Sequence, residues 1–134
     1  MATITLDLVT PERFLIDGVE IEEVTIPGAY GEIGVLPGHA PLLGHVRPGV
    51  LTYKAGGRAE VFAVSEGFME VTPERVTVLA NSAERAADVD LDRAKEAAAR
   101  AAEQLARQLE QHEFAAVEAA AARAEARLRA RGLV

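Results

Sequence analysis

The chain has no cysteine, so it can form neither a disulfide framework nor a thiolate metal site. That fits a reducing compartment, and the cytoplasm is the default expectation. Long apolar runs are missing too. No stretch approaches the roughly 20 apolar residues that a helix needs to cross a bilayer, so any membrane association is expected through a partner and not by direct insertion. Met1 to Val9 alternates apolar and polar residues and shows no basic segment followed by an apolar run, so no secretory signal is expected. Positive charge is scarce: 14 Lys and Arg stand against 21 Asp and Glu, a formal net charge of −7. Nucleic acid is therefore set aside as a partner, because phosphate binding needs a clustered basic surface that displaces counterions.

Signatures of common chemistries are absent as well. There is no phosphate-binding GxxxxGK followed by Ser or Thr, no GxSxG nucleophile elbow and no HExxH zinc motif. The three histidines, His39, His45 and His112, are scattered over two segments and suit loop or surface roles better than a metal site. Glu22 and Glu23 are adjacent on a predicted strand and point to opposite faces, which suits a solvated edge. No catalytic residue and no metal are expected.

What is present divides in two. All six prolines and ten of the eleven glycines lie at or before position 73, whereas residues 91–134 hold sixteen alanines. Residues 1–90 carry six basic against fourteen acidic side chains, and residues 91–134 carry eight against seven. A segregated α+β fold follows: an antiparallel β-sandwich over 1–85, then an antiparallel two-helix hairpin over 86–134.

The first part reads as short strands with turns between them. Ile4, Leu6 and Leu8 alternate with polar neighbours, the period of a strand with one buried face. Asp17-Gly18, between Phe14–Ile16 and Val19–Ile26, is predicted to be a hairpin turn. Ala55-Gly56-Gly57 and Pro73-Glu74 are predicted to turn the later hairpins. In the second part, Leu91, Ala94, Ala98, Ala101, Leu105 and Leu109 recur at helical spacing, with Asp90 placed to cap the first turn. Phe114, Val117, Ala121, Ala124 and Leu128 form a second stripe. The step of five from Leu109 to Phe114 breaks phase, which predicts a turn within Gln108 to Glu113; a single long helix is the alternative. Both stripes hold few large side chains, while alanine has the best helix propensity. The hairpin is thus expected to be a two-state element that swings away as helix.

The stretch from Gly31 to Leu43, GEIGVLPGHAPLL, packs three glycines and two prolines into its first eleven residues. These force an ordered non-helical path, and an exposed rigid loop is either a binding surface or a purely structural connection. This segment resembles the signature loop of the epsilon subunit of F-type ATP synthases, called delta in mitochondria. Glu66-Gly67-Phe68-Met69-Glu70-Val71 and Val76-Thr77-Val78-Leu79-Ala80 resemble the last strands of that family's sandwich, and Ala83-Glu84-Arg85 and the helix start at Asp90 follow in the same order.

The resemblance implies a role and not a reaction. It implies a non-catalytic central-stalk subunit, peripheral at the cytoplasmic face of the membrane, whose sandwich packs on the gamma subunit and on the ring of c subunits. Glu32 and His39 would lie on the ring-facing loop. It also implies a hairpin that extends among the catalytic alpha and beta subunits and inhibits ATP hydrolysis, a role that Arg123, Arg127, Arg129 and Arg131 suit. Val89-Asp90-Leu91-Asp92-Arg93-Ala94 resembles the ATP-binding motif of some bacterial members, with valine in place of Ile or Leu. Asp90, Arg93, Arg123 and Arg127, with Glu84 a weaker candidate, would then hold a regulatory ATP. Arg123 and Arg127 stand four apart on one helix face. No other cofactor is implied. Against this stands the plainer reading of Asp90 as a helix cap and of the arginines as a solvated face. The rival from another class is a free-standing ATP-sensing module that uses the hairpin.

Overall fold

The structure is a computed structural model that describes residues 2–106 and 111–132 and, among these, the side chains of all but 111–114. Strands come first: β1 (Ile4–Val9), β2 (Phe14–Ile21), β3 (Glu23–Gly28), β4 (Gly31–Val35), β5 (Leu42–Val46), β6 (Gly49–Ala55), β7 (Arg58–Val64), β8 (Gly67–Val71), β9 (Arg75–Ala80) and β10 (Ala83–Arg85). A 3-10 turn at Ala86–Asp88 leads into α1 (Leu91–Ala106) and α2 (Gln111–Ala130). The segregated α+β order is what forms.

The strands make two layers. One runs β10-β7-β6-β3-β4 and the other β5-β8-β9-β1-β2, joined where Gly28 pairs with Val46. Between them lie Ile4, Leu6, Leu8, Ile21, Ile26, Leu51, Phe62, Met69, Val76 and Val78, each buried. Each large apolar side chain removed from water stabilises the fold by about 1.5–3 kcal/mol, so this layer of contacts dominates the energetics. The pairing departs from the expected antiparallel pattern in one place: β1 and β9 run parallel, Thr5 opposite Arg75 through Val9 opposite Leu79. Their connection runs through β2 to β8, and a crossover of that length permits a parallel pair.

Turn chemistry explains one correction. Gly56 and Gly57 take φ of 58° and 76° and turn β6 into β7 as predicted. Asp17-Gly18 does not form the predicted hairpin turn, because β2 runs through it. The register to β1 shifts between Leu6 and Leu8, and the positive φ of Gly18, 65°, serves a bulge. Buried Asp7 holds the bulge: its Oδ1 accepts the Gly18 N–H at 2.8 Å while Oδ2 pairs with Arg75. The reversal from β1 to β2 falls instead at Thr10–Arg13, closed by backbone bonds of 2.9 and 3.2 Å. Beyond it, the Thr3 and Thr5 hydroxyls donate to Glu20 at 2.6 and 2.5 Å and hold its carboxyl below the usual range. This contribution is complete above the ordinary glutamate pKa and is lost as pH falls through the lowered one.

At one corner the chain changes layer twice, from β7 to β8 and from β9 to β10. There the Ser65 N–H donates to Ser82 O at 3.0 Å, the Asn81 N–H to Glu66 O at 3.0 Å, and the Ser82 N–H to Ser65 Oγ at 2.7 Å. The strands close up so tightly that Gly67 faces the Leu79–Ala80 backbone with no room for a β-carbon.

The helices form an antiparallel hairpin. Ala94 at the start of α1 packs in one cluster with Leu128 and Ala130 at the end of α2 and with Ala63 and Val89. The stripe predicted for α1 is the shielded one, with Ala94 and Ala101 buried. Helix α2 lies between α1 and the outer face of β6 and β7. It therefore buries Ala126 as well as the predicted Ala124. Of the predicted turn, residues 108–110, with Leu109, and the side chains of His112 and Phe114 fall outside the described residues, whereas the backbone from Gln111 onward belongs to α2.

Gly67→Ala is expected to lower stability by about 1–3 kcal/mol, because the methyl group would strike backbone that cannot turn aside. Gly34→Ala, where nothing lies within 4 Å of the added carbon, is expected to be close to neutral. Urea unfolding of the two variants checks the contrast.

Candidate functional site

Asp90 sits at the junction of the two parts. Its Oδ1 accepts the Arg93 N–H at 3.1 Å, and its backbone carbonyl accepts the Ala94 N–H at 3.0 Å, so it is the predicted cap of α1. From this junction a polar cleft of about 160 Å³ opens between hairpin and sandwich, lined by Glu84, Asp90, Arg93, Ala94, Ala97, Arg100 and Arg127. Three guanidinium groups thus share one cleft with two carboxylates. Asp90, Arg93, Arg127 and Glu84 are brought together as the sequence reading expects. Arg123 is not among the lining residues; it stands one turn away beside a small recess formed with Ser65, Ser82, Glu84 and Arg127. Arg100 was missed, although its place seven residues after Arg93 puts both on the same helix face.

The two α2 arginines already have partners. Arg127 Nε donates to Glu84 Oε1 at 2.6 Å, and Arg123 Nη1 to Glu66 Oε1 at 3.4 Å. Arg131 adds a bond to the Val89 carbonyl at 3.5 Å. The hairpin is therefore tied to the sandwich by ion pairs around a small alanine-rich contact. Such partly exposed pairs each contribute only about 0–1 kcal/mol. What the cleft can do chemically is exchange one anion for another: a phosphate group entering it would meet Arg93 and Arg100 and compete with Glu84 for Arg127.

A second surface lies on the outer face of the other layer. His45 of β5 is opposite Phe68 of β8, Phe68 opposite Leu79 of β9, Leu79 opposite Val9 of β1, and Val9 opposite Phe14 of β2. An apolar row thus crosses five strands. Phe68 is 57% and Leu79 50% exposed, and the His45 and Phe68 rings lie 4.8 Å apart. The row borders a cleft of about 520 Å³ whose further wall includes Thr10, Pro11, Glu66 and Asn81. The sequence signal for it is the break in alternation at Phe68-Met69 and Val78-Leu79, where both faces of a strand are apolar.

The third surface is the signature segment. Its first residues form β4, paired with β3 in a hairpin whose tip exposes Tyr30 completely, and its last form β5. Between them the loop is pinned by the Gly38 N–H to Pro73 O at 2.9 Å, and His39 Nδ1 lies 2.6 Å from Ala40 O. Glu32 faces a groove with Arg47 and Arg129, and His39 is not part of that groove. Among the described residues, no three His, Asp or Glu side chains gather as a metal site, and no helix is long and apolar enough to cross a membrane.

Residues 3–86 match the family described as ATP synthase, Delta/Epsilon chain, beta-sandwich domain. The chain belongs to the ATP synthase delta/epsilon family. The likeness extends over the hairpin. The chain is 46% identical over 127 residues to an ATP synthase epsilon chain of Nitratidesulfovibrio vulgaris, covering 95% of this chain and 94% of that one. It is 42% identical to the epsilon chain of Moorella thermoacetica over the full length of both. Among solved structures it resembles a chain in the mitochondrial ATP synthase of Euglena gracilis, with a TM-score of 0.84, 25% identity, and coverage of 98% and 82%. A chain of the Tetrahymena thermophila central stalk and c-ring shares the fold, with a TM-score of 0.67 at 12% identity. The family resemblance read from the signature segment is thereby established, and with it the sandwich-plus-hairpin architecture.

Asp90→Ala is expected to cost about 1 kcal/mol through the lost cap. The loss should appear in thermal unfolding followed by helix circular dichroism, whether or not any ligand is present.

Proposed function

We propose that this family member is a non-catalytic rotor subunit of the central stalk. In this reading it couples rotation of the c-ring to the catalytic head through the gamma subunit and restrains ATP hydrolysis through its hairpin. The observation that carries the reading is the apolar row from His45 to Phe14. An exposed apolar surface of this kind suits a permanent partner. The gamma subunit is that partner in this reading. Glu32 and His39, both within the signature segment, contact the c-ring in this reading and set register more than affinity. The chain is then peripheral to the membrane, at its cytoplasmic side. The hairpin, tied down by weak pairs and able to persist as helix, is the regulatory part, and it reaches the alpha and beta subunits when extended.

One reconstitution tests both halves. Phe68→Asp, at an exposed position, should leave the fold intact and abolish co-purification with gamma. Deletion of residues 91–134 should leave assembly intact and raise ATP hydrolysis by the complex. Retained binding in the first, or unchanged hydrolysis in the second, removes the corresponding half.

A regulatory ATP is the finer part of the proposal, supported by the gathering of Arg93, Arg100 and Arg127 in one cleft beside Asp90. Those residues fit a polyphosphate by charge and donor number, with Arg123 joining only if it leaves Glu66. Calorimetric titration of the whole chain with ATP and Mg²⁺ should show heat that Arg127→Ala removes. No heat at millimolar nucleotide would leave the hairpin governed by its neighbours alone.

A further inference from the structure

Glu66 belongs to two surfaces at once. Its carboxylate accepts from Arg123 of α2 at 3.4 Å, and the same residue forms part of the wall of the apolar cleft beside Phe68 and Leu79. The pair is open to competition, because its side chains are 44% and 33% exposed. The backbone around it is not free to respond. Glu66 O is bound by the Asn81 N–H at 3.0 Å, Ser65 is clasped to Ser82 on both sides, and Gly67 is pressed against the Leu79–Ala80 backbone. A molecule filling the cleft can therefore displace the Glu66 side chain but not its main chain. Charge indicates what arrives there. Residues 1–85 hold twelve acidic against six basic side chains, so the sandwich favours a partner that brings basic groups to the rim of its apolar face.

We propose that Glu66 is a shared acceptor that couples the apolar face to the hairpin: a basic side chain of the docked gamma subunit takes its carboxylate from Arg123 and loosens α2. Arg127 with Glu84 then remains as the ion pair between α2 and the sandwich among the described residues. The coupling rests on the reading that gamma docks on this face and adds a consequence to it. By linkage, removing the Arg123 claim on Glu66 tightens gamma binding by the same factor with which gamma loosens the hairpin.

The absence of cysteine makes the test direct. Ala126 is buried and lies one turn after Arg123 and one before Ala130, on the stripe that meets the sandwich. In the full-length Ala126→Cys chain, the rate of thiol labelling reads hairpin opening, and Ala124→Cys, at a second buried position of α2, gives an independent reading. Saturating gamma subunit is expected to speed labelling up to about fivefold, the size of one partly exposed ion pair. In Glu66→Gln the free chain should already label faster and gamma should add less than twofold. Co-elution of gamma with labelling unchanged, or an equal acceleration in Glu66→Gln, overturns the coupling and leaves the stalk reading standing. Failure of gamma to co-elute with the unaltered chain overturns both.

Discussion

Much of this fold depends on the corner where the chain crosses between layers twice. Each crossing strips a strand end of ladder partners, and buried backbone groups without partners are costly. The two crossings satisfy each other, with the buried Ser65 hydroxyl accepting the Ser82 N–H and paired carbonyls taking the rest. Because Gly67 presents no side chain, β8 and β9 approach closely enough for this mutual closure. One side of the corner borders the apolar cleft and the other faces α2, so the same structural necessity of the sandwich connects both.

The sandwich and the hairpin are stabilised on different scales. Between the layers, large aliphatic side chains and Phe62 are withdrawn from water entirely. Between hairpin and sandwich, alanines, Val89 and Leu128 meet across a contact whose polar part is a few half-exposed ion pairs. The first interface resists anything short of unfolding. The second rests on far less apolar area, and partly exposed ion pairs each add only about 0–1 kcal/mol to it. The head is thus held by a large apolar core and the hairpin by a small contact with few large side chains.

Much of the chain was legible in advance where local chemistry decides. The turn at Gly56-Gly57 and the cap at Asp90 were read correctly because each depends on a few adjacent residues. Asp17-Gly18 was misread because its positive φ suits a hairpin and a bulge equally, and the choice was made by Asp7, ten residues earlier and facing it across the sheet. The separation of Arg123 from Arg127 has the same cause. Helical spacing places Arg123 and Arg127 on one face, but whether they converge on one cleft depends on where Glu66 and Glu84 lie on separate strands.

By itself, then, the sequence determined the division into strands and helices, the family and the alanine character of the tail. These follow from composition, period and residues close together in the chain. Only the tertiary structure decided that β1 runs parallel to β9, that an apolar row crosses five strands, and that Glu66 serves both the cleft and α2. Those facts depend on pairing between segments tens of residues apart, where many registers are compatible with the same local preferences and the packing of the whole core selects one.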